Sequence, residues 1–227
     1  MKKCVILLFA MSSLSIAAQT NSDLTKHFEA YYTQMKTQGD IQGIIDALTH
    51  LDVLNPTQAR KDTIAYLYVS DGRYLQALNT IGIEKNPTDS DMNVEVKAIA
   101  LKALNEPKRA MEQYEVLFSR QPSANLAYEI ADLKLQTQDF AGAKEKIEYG
   151  LANVKDDMKR TFYETQQPYQ TSLKAALLYL KGLELFSENQ NENVEIALAT
   201  INRALAIDPN FNMAKVSKDA LLARKKE

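Results

Sequence analysis

The chain has 227 residues, of which 45% are apolar and 25% are charged, and it contains only 7 glycines and 6 prolines. This composition is typical of a helical soluble protein and argues against a collagen-like, β-sandwich or disordered chain. The 27 basic and 29 acidic residues give a formal net charge of −2. Such a balance carries no electrostatic signature of binding to nucleic acid or to an anionic membrane.

Residues 1–18 have the pattern of a secretory signal peptide. Two lysines precede an apolar run from Val5 to Ala10, and small residues that end at Ala18 form a cleavage site. The run is shorter than the roughly 20 apolar residues that span a bilayer, which favours a cleaved signal over the alternative of an uncleaved anchor. We therefore expect a periplasmic or secreted protein that loses its single cysteine, Cys4, with the signal and then has no membrane-inserted segment.

Small residues recur with a fixed period along the rest of the chain. Ala77, Ala110 and Ala143 are 33 residues apart, and a bulky apolar or aromatic residue follows each of them after four positions. A spacing of four matches one helical turn, and a period in the thirties is typical of stacked helix-turn-helix repeats. The pattern predicts five helical hairpins and a final capping helix. Their expected ranges are about Asp23–Val53, Gln58–Glu84, Asp91–Arg120, Ala124–Ala152, Ser172–Ser187 with Val194–Ile207, and Asn212–Arg224 for the cap.

The period is interrupted between the fourth and fifth hairpins. Ala143 and Ala197 are 54 residues apart, and the excess falls at about 153–171. Within this insertion, two segments rich in β-forming residues flank a turn at 166–168. The sequence therefore predicts a short β-hairpin near 158–171.

Two alternatives for the insertion remain open. The alternatives to the β-hairpin are an ordinary linker and a helix through Met158 to Glu164, because a short segment fits more than one period. An insertion in a repeat array often lies on one face and carries binding residues. Phe162 and Tyr163 are therefore expected to contact a partner.

The residues around the repeated alanines follow a defined pattern. It is carried by Tyr114, Leu117 and Pro122 after Ala110, by Ala197, Ile201, Ala204 and Pro209, and by Gly72-Arg73-Tyr74 before Ala77. This pattern resembles that of the tetratricopeptide repeat (TPR) family over about residues 22–152 and 172–225. The resemblance implies an all-α, right-handed α-solenoid, with hairpins one to four in 19–152, an insertion at 153–171, and the fifth hairpin and capping helix in 172–227.

The resemblance also implies where a partner binds, because the first helix of each TPR hairpin lines a concave groove. Carried over in the 33-residue register, the candidate groove residues are Glu29, Asp62, Tyr66, Glu95, Ile99, Tyr128, Asp132, Tyr179, Leu183 and Phe186. The aromatic and aliphatic members form an apolar stripe that suits a protein interface. The alternative is that some of them pack inside the hairpins. Three acidic members occupy sites where clamps for a terminal carboxylate use lysine and asparagine, which argues against that ligand.

The sequence contains no recognisable pattern for catalysis. His27 and His50 belong to no zinc-binding motif, and the scattered glycines form no phosphate-binding loop. We therefore expect a protein that is not an enzyme and that uses no metal and no cofactor. We interpret the chain as an exported scaffold that binds a peptide or helix of another envelope protein in its groove. The alternatives are a structural subunit of an envelope complex, a self-associating assembly, and an unrecognised enzyme.

Overall fold

The computed structural model describes residues 21–224, so the expected signal peptide at 1–18 lies outside the described residues. This part of the chain forms eleven helices and two strands. It divides into two compact units between Ile81 and Gly82. The elements of the first unit are α1 Asn21–Gln38, α2 Ile41–Leu54, α3 Gln58–Ser70 and α4 Tyr74–Ile81. Those of the second unit are α5 Asp91–Ala103, α6 Pro107–Arg120, α7 Ala124–Gln136, α8 Phe140–Asn153, β1 Lys159–Phe162, β2 Tyr169–Ser172, α9 Leu173–Glu188, α10 Val194–Ile207 and α11 Asn212–Arg224.

The helices pair as the repeat pattern predicts. Within each unit, α1 packs on α2, α3 on α4, α5 on α6, α7 on α8, α9 on α10, and α11 packs on α10. The repeated residues Ala77, Ala110, Ala143 and Ala197 are fully buried, because close-packed helix pairs leave no room for a larger side chain. The predicted all-α fold of five hairpins and a cap is thus confirmed. The sequence did not indicate the division after Ile81, where α4 ends before its expected end.

Short polar side chains set the start of five helices. Asp40, Thr57, Ser90, Ser123 and Asp139 precede α2, α3, α5, α7 and α8, and each side chain accepts a hydrogen bond from the backbone N–H three residues later. These bonds satisfy donors that have no partner inside the helix. The polar residues between the apolar repeats therefore fix where each helix begins.

The last hairpin shows a close helix approach. A Cβ atom added at Gly182 on α9 would lie 2.5 Å from Cγ1 of Ile201 on α10. That distance is far below van der Waals contact, so the absence of a side chain at Gly182 lets these two helices pack together. Leu173, Leu177 and Leu180, on the same helix α9, are buried in the main core of the second unit.

The insertion forms the predicted β-hairpin, and the alternatives of a linker and a helix are wrong. β1 and β2 are antiparallel, with Arg160 opposite Thr171 and Phe162 opposite Tyr169. Side chains alternate across a strand, so these four residues share one face of the hairpin. Arg160 contacts α7, and Phe162 packs against the segment that leads into α11. The insertion is thus folded onto its own unit.

Candidate functional site

A cavity of about 410 Å³ lies between the β-hairpin and the helices α7, α9 and α11 of the second unit. Tyr128 and Asp132, one turn apart on α7, form one wall, and Tyr179 and Leu183, one turn apart on α9, form another. The hairpin contributes residues 160–164. We call this space the hairpin cavity. It brings together the predicted site residues Tyr128, Asp132, Phe162, Tyr163, Tyr179 and Leu183.

A cluster of aromatic rings attaches the hairpin to the helices. The ring centre of Phe162 is 6.5 Å from that of Tyr128, 5.7 Å from that of Tyr169 and 5.0 Å from that of Phe211. The ring of Tyr179 lies 5.2 Å from Phe211 in an edge-to-face arrangement. Such pairs add to the stabilisation that comes from burial of the rings. Phe162 therefore holds the hairpin in place.

The burial of two tyrosines corrects the expectation of an open aromatic stripe. Tyr128 is 3% exposed and Tyr179 is 5% exposed, so both side chains are packed rather than free. The rings of Phe162 and Phe211 contribute to that packing. The two tyrosines belong to the walls of the hairpin cavity. Tyr163, which also lines the cavity, is 75% exposed.

Four charged residues form a connected network beside the cavity. The Nζ atom of Lys102 on α5 lies 2.7 Å from a carboxylate oxygen of Glu129 and 2.7 Å from one of Asp132, both on α7. The other oxygen of Glu129 lies 2.5 Å from Nη1 of Arg160. The guanidinium carbon of Arg160 is 4.0 Å from the centre of the Tyr128 ring, which is a cation–π distance. The network joins α5, α7 and the hairpin.

The pKa shifts of Glu129 and Lys102 both favour the charged form of the group. Burial favours the neutral form of Glu129, but the charges of Lys102 and Arg160 outweigh it and lower the pKa of this carboxyl. Burial opposes the charge on Lys102, but Glu129 and Asp132 outweigh it and raise the pKa of that amine. Burial is the main reason that the pKa of Tyr128 is raised. The ion pairs are therefore suited to holding Lys102, Glu129 and Arg160 in a fixed geometry.

Sequence reasoning missed Glu129 and Arg160 as members of this site. One available signal was the two-residue spacing of Arg160 and Phe162, which places both on the same face of a strand. A second was the spacing of Glu129 and Asp132, which puts two carboxylates on neighbouring positions of a helix surface. Neither signal says which face of the hairpin turns towards the helices.

A second cavity, of about 390 Å³, lies between α9 and α11. Leu183 and Phe186 line it from α9, and Ala220 and Leu221 are among the residues that line it from α11. The guanidinium carbon of Arg224 is 5.3 Å from the centre of the Phe186 ring. Leu183 lines both cavities, so the surface continues along α9 from the hairpin to Phe186.

The other predicted groove residues lie outside these two cavities. Glu95 and Ile99 are exposed on α5, and Glu95 lines a separate cavity of about 410 Å³ at the start of α7. Glu29, Asp62 and Tyr66 belong to the first unit. Glu29 is exposed and Tyr66 is 52% exposed, as expected for groove residues, whereas Asp62 is buried and departs from that expectation.

The histidines and carboxylates of residues 21–224 form no cluster that could hold a metal ion. The ring of His50 stacks on that of Phe28 at 4.2 Å, and the ring of His27 lies edge-on to Phe28 at 5.2 Å. Both histidines therefore take part in side-chain packing in the first unit. No helix in the same range is both long enough and apolar enough to cross a membrane.

Solved structures that resemble this fold over most of the chain include YrrB and MamA. YrrB, a TPR protein with an unusual peptide-binding site, superposes with a TM-score of 0.65 at 12% sequence identity, covering 85% of this chain and 90% of YrrB. MamA superposes with a TM-score of 0.61 at 14% identity, covering 83% of this chain and 93% of MamA. No protein-family model and no curated protein matches the sequence. At these identities the similarity establishes the fold, and the chain has the TPR fold.

Proposed function

We propose that this protein is an exported scaffold that binds a segment of another envelope protein on the surface formed by the hairpin cavity and α9. The hairpin cavity is the observation that carries this proposal. It is open, its walls are mainly aromatic and aliphatic, and a few charged groups stand at fixed positions around it. Concave sites of this composition are typical of binding surfaces.

The shape of the surface supports a partner longer than a small molecule. Leu183 joins the hairpin cavity to the second cavity, and Phe186 extends the apolar lining by almost one further helical turn. Several consecutive side chains of a partner can therefore be accommodated in the two spaces. The exposed ring of Tyr163 adds contact area at a low cost in side-chain entropy.

The packing beneath the surface supports a preformed site. Tyr128 and Tyr179 are held in place by neighbouring rings, and Arg160 is held by Glu129. A site whose residues are already ordered loses less conformational entropy when a partner binds. The same pairing favours binding over acid–base catalysis, because the charged groups already have partners.

Two further observations support parts of the proposal. YrrB, which shares the fold, has a peptide-binding site, and this favours a peptide or helix as the partner. The signal-like sequence at 1–18 is the basis for proposing export and an envelope partner. The export proposal therefore depends on the sequence pattern alone.

The proposal can be tested by affinity capture from the native envelope fraction with the tagged mature chain. Leu183→Glu places a charge between the two cavities and should abolish capture of a partner that wild type retains. Ile196→Glu is the matched control, since Ile196 is an exposed apolar residue on α10, which contributes to neither cavity. Its capture should equal that of wild type.

Two results would contradict the proposed surface. One is equal capture by Leu183→Glu and wild type, and the other is equal loss in both variants. Circular dichroism melting curves of the two variants measure whether each variant is folded, and so separate a lost interaction from unfolding. For the export proposal, a reporter fused after residue 18 should appear outside the cytoplasm, and retention inside would contradict it.

A further inference from the structure

Building on the proposed binding function, we propose that the outer edge of β1 pairs with an extended, basic segment of the partner, which becomes a third strand of the hairpin sheet. Strand addition of this kind obtains affinity from main-chain hydrogen bonds and specificity from pockets for alternate side chains. β1 supplies such an edge, and the hairpin cavity supplies such a pocket.

The hydrogen-bond register shows which backbone groups of β1 point outward. The N–H of Leu173 donates to the C=O of Met158 across the hairpin at 2.9 Å. Hydrogen-bonded pairs alternate along an antiparallel ladder, so the backbone groups of Arg160 and Phe162 point towards β2. Those of Thr161, between them, therefore point away from β2. Within residues 21–224, the sheet has no third strand that could use them.

The two edges of the sheet have different surroundings. Residues 160–164, which include three of the four residues of β1, line the hairpin cavity, whereas no residue of β2 lines it. Near its end, β2 is tied to the loop before α11, because the Thr171 hydroxyl donates to the carboxylate of Asp208. A strand that adds to β1 can therefore place its alternate side chains against Tyr179 and Leu183. A strand that adds to β2 has no such pocket.

The charges around β1 favour a basic partner segment. The cavity lining contains the carboxylates of Asp132 and Glu164 and one cation, Arg160. Asp132 is paired with Lys102 and Arg160 with Glu129, so Glu164 is the lining carboxylate that belongs to no ion pair among the described residues. Lys159 is exposed at the start of β1 but does not line the cavity. Opposite charges across an interface speed association and suppress wrong partners. Lysine or arginine side chains in the added strand fit this surface, and acidic ones do not.

The first test uses an acetylated and amidated octapeptide of alternating lysine and valine, with wild type and two proline variants. Thr161→Pro removes the outward N–H of β1 without removing a donor to β2 and should weaken binding by about tenfold or more. Gln170→Pro is the matched control, because Gln170 lies directly opposite Thr161 and its N–H points away from β1. This variant should bind the octapeptide as wild type does. Equal affinities of the two variants would overturn the proposal.

Two measurements on wild type avoid the question of whether the proline variants fold. N-methyl groups at alternate residues of the same octapeptide remove the N–H donors along one of its edges. This octapeptide should lose affinity when that edge faces β1. Hydrogen exchange should show protection of the Thr161 amide when the unmodified octapeptide is bound. An octapeptide of alternating glutamate and valine should bind far more weakly. Equal binding of the basic and acidic octapeptides, or no protection at Thr161, would overturn the proposal.

Failure of this inference can be told apart from failure of the proposed function. Capture of the envelope partner by Thr161→Pro but not by Leu183→Glu would refute pairing at β1 and leave the binding surface standing, as expected for a partner that binds as a helix. Capture by both variants would refute the binding surface as well.

Discussion

Tyr66 and Tyr128 are both predicted to line a groove, yet the structure places them in different surroundings. Tyr66, on α3 of the first unit, is 52% exposed, whereas Tyr128, on α7 of the second unit, is 3% exposed. Each unit contains helical hairpins, but only the second contains an insertion with strands among the described residues. The guanidinium of Arg160 and the ring of Phe162 from that insertion lie against Tyr128. The β-hairpin thus helps to bury Tyr128, which lies on the first helix of a helical hairpin, in a packed core.

Under the proposed function, this difference is a way to rebuild a binding surface without a change in the repeat. In the first unit, an exposed tyrosine on a first helix would have to meet a partner directly. In the second unit, the tyrosine supports the hairpin, and the hairpin in turn presents Tyr163 and the edge of β1. Under the proposed function, an insertion of about 19 residues moves the contact surface outward from the helices to the hairpin.

The comparison predicts the largest difference for the two tyrosine-to-alanine variants. Tyr128→Ala removes a buried ring and should lower the free energy of unfolding by about 3–5 kcal/mol, as for other large buried aromatic truncations. Tyr66→Ala removes a half-exposed ring and should change it by about 0.5 kcal/mol or less. Urea unfolding followed by circular dichroism measures both. Similar losses in the two variants would mean that the hairpin does not change the role of Tyr128.

Removal of the Arg160 side-chain charge should produce the next largest effect. Arg160→Met leaves Glu129 with Lys102 as its remaining cationic partner and removes the cation from the ring of Tyr128. We expect a loss of about 1–3 kcal/mol, in the range for hydrogen bonds to charged groups. Lys159→Met is the control on the neighbouring exposed residue and should have little effect. If both variants unfold at the same urea concentration as wild type, the hairpin is not held by this ion pair.

The helices could be predicted from the sequence because their signals are local. Ala77 and Ala110 recur 33 residues apart because each is the buried small residue of its own hairpin, and the capping residues act within the first turn of a helix. The β-hairpin was predictable for the same reason, since its strands and turn are close in the chain. Thr171, for example, lies only nine residues from Phe162.

The site was less predictable because it depends on contacts between distant segments. Arg160 meets Glu129 across 31 residues, and nothing in either local sequence specifies the pairing. The groove register gave Tyr128 and Tyr179 correct positions on the first helices but could not show that other side chains cover them. The register also gave no sign that Asp62 is buried while Glu95 is exposed.

The paired carboxylate of Glu129 should give the hairpin a defined pH dependence. Lys102 and Arg160 hold the pKa of Glu129 below its ordinary value of about 4.3 despite burial. A lowered pKa in the folded state means that the stabilisation is present above pH 4.3 and is lost as the pH falls through the folded-state pKa. Glu129→Gln should therefore cost about 1–2 kcal/mol at pH 7, and the gap from wild type should close below pH 4. A gap that stays constant from pH 7 to pH 3 would contradict the ion-pair explanation.

Glu184 provides the opposite case in the same unit and the smallest expected effect. It is 1% exposed on α9, and its Oε1 atom has no hydrogen-bond partner within the described part of the chain. Burial is the main cause of the raised pKa of this carboxyl. Unlike Glu129, which is paired with Arg160, Glu184 forms no ion pair with the arginine of the insertion. Because the folded-state pKa is raised, wild type should gain stability as the pH falls from neutral towards 4.3, the reverse of the Glu129 effect.

Glu184→Gln should therefore raise the free energy of unfolding at pH 7 by on the order of 1 kcal/mol, since it removes an unpaired buried charge. The gain should shrink on acidification because wild-type Glu184 then becomes neutral without the substitution. Glu112→Gln, at an exposed position on α6, should leave stability nearly unchanged. Thermal melts of the three proteins at pH 7 and pH 5 measure these differences. A lower melting temperature for Glu184→Gln at pH 7 would show that Glu184 is stabilised in its charged form and that burial does not dominate its pKa.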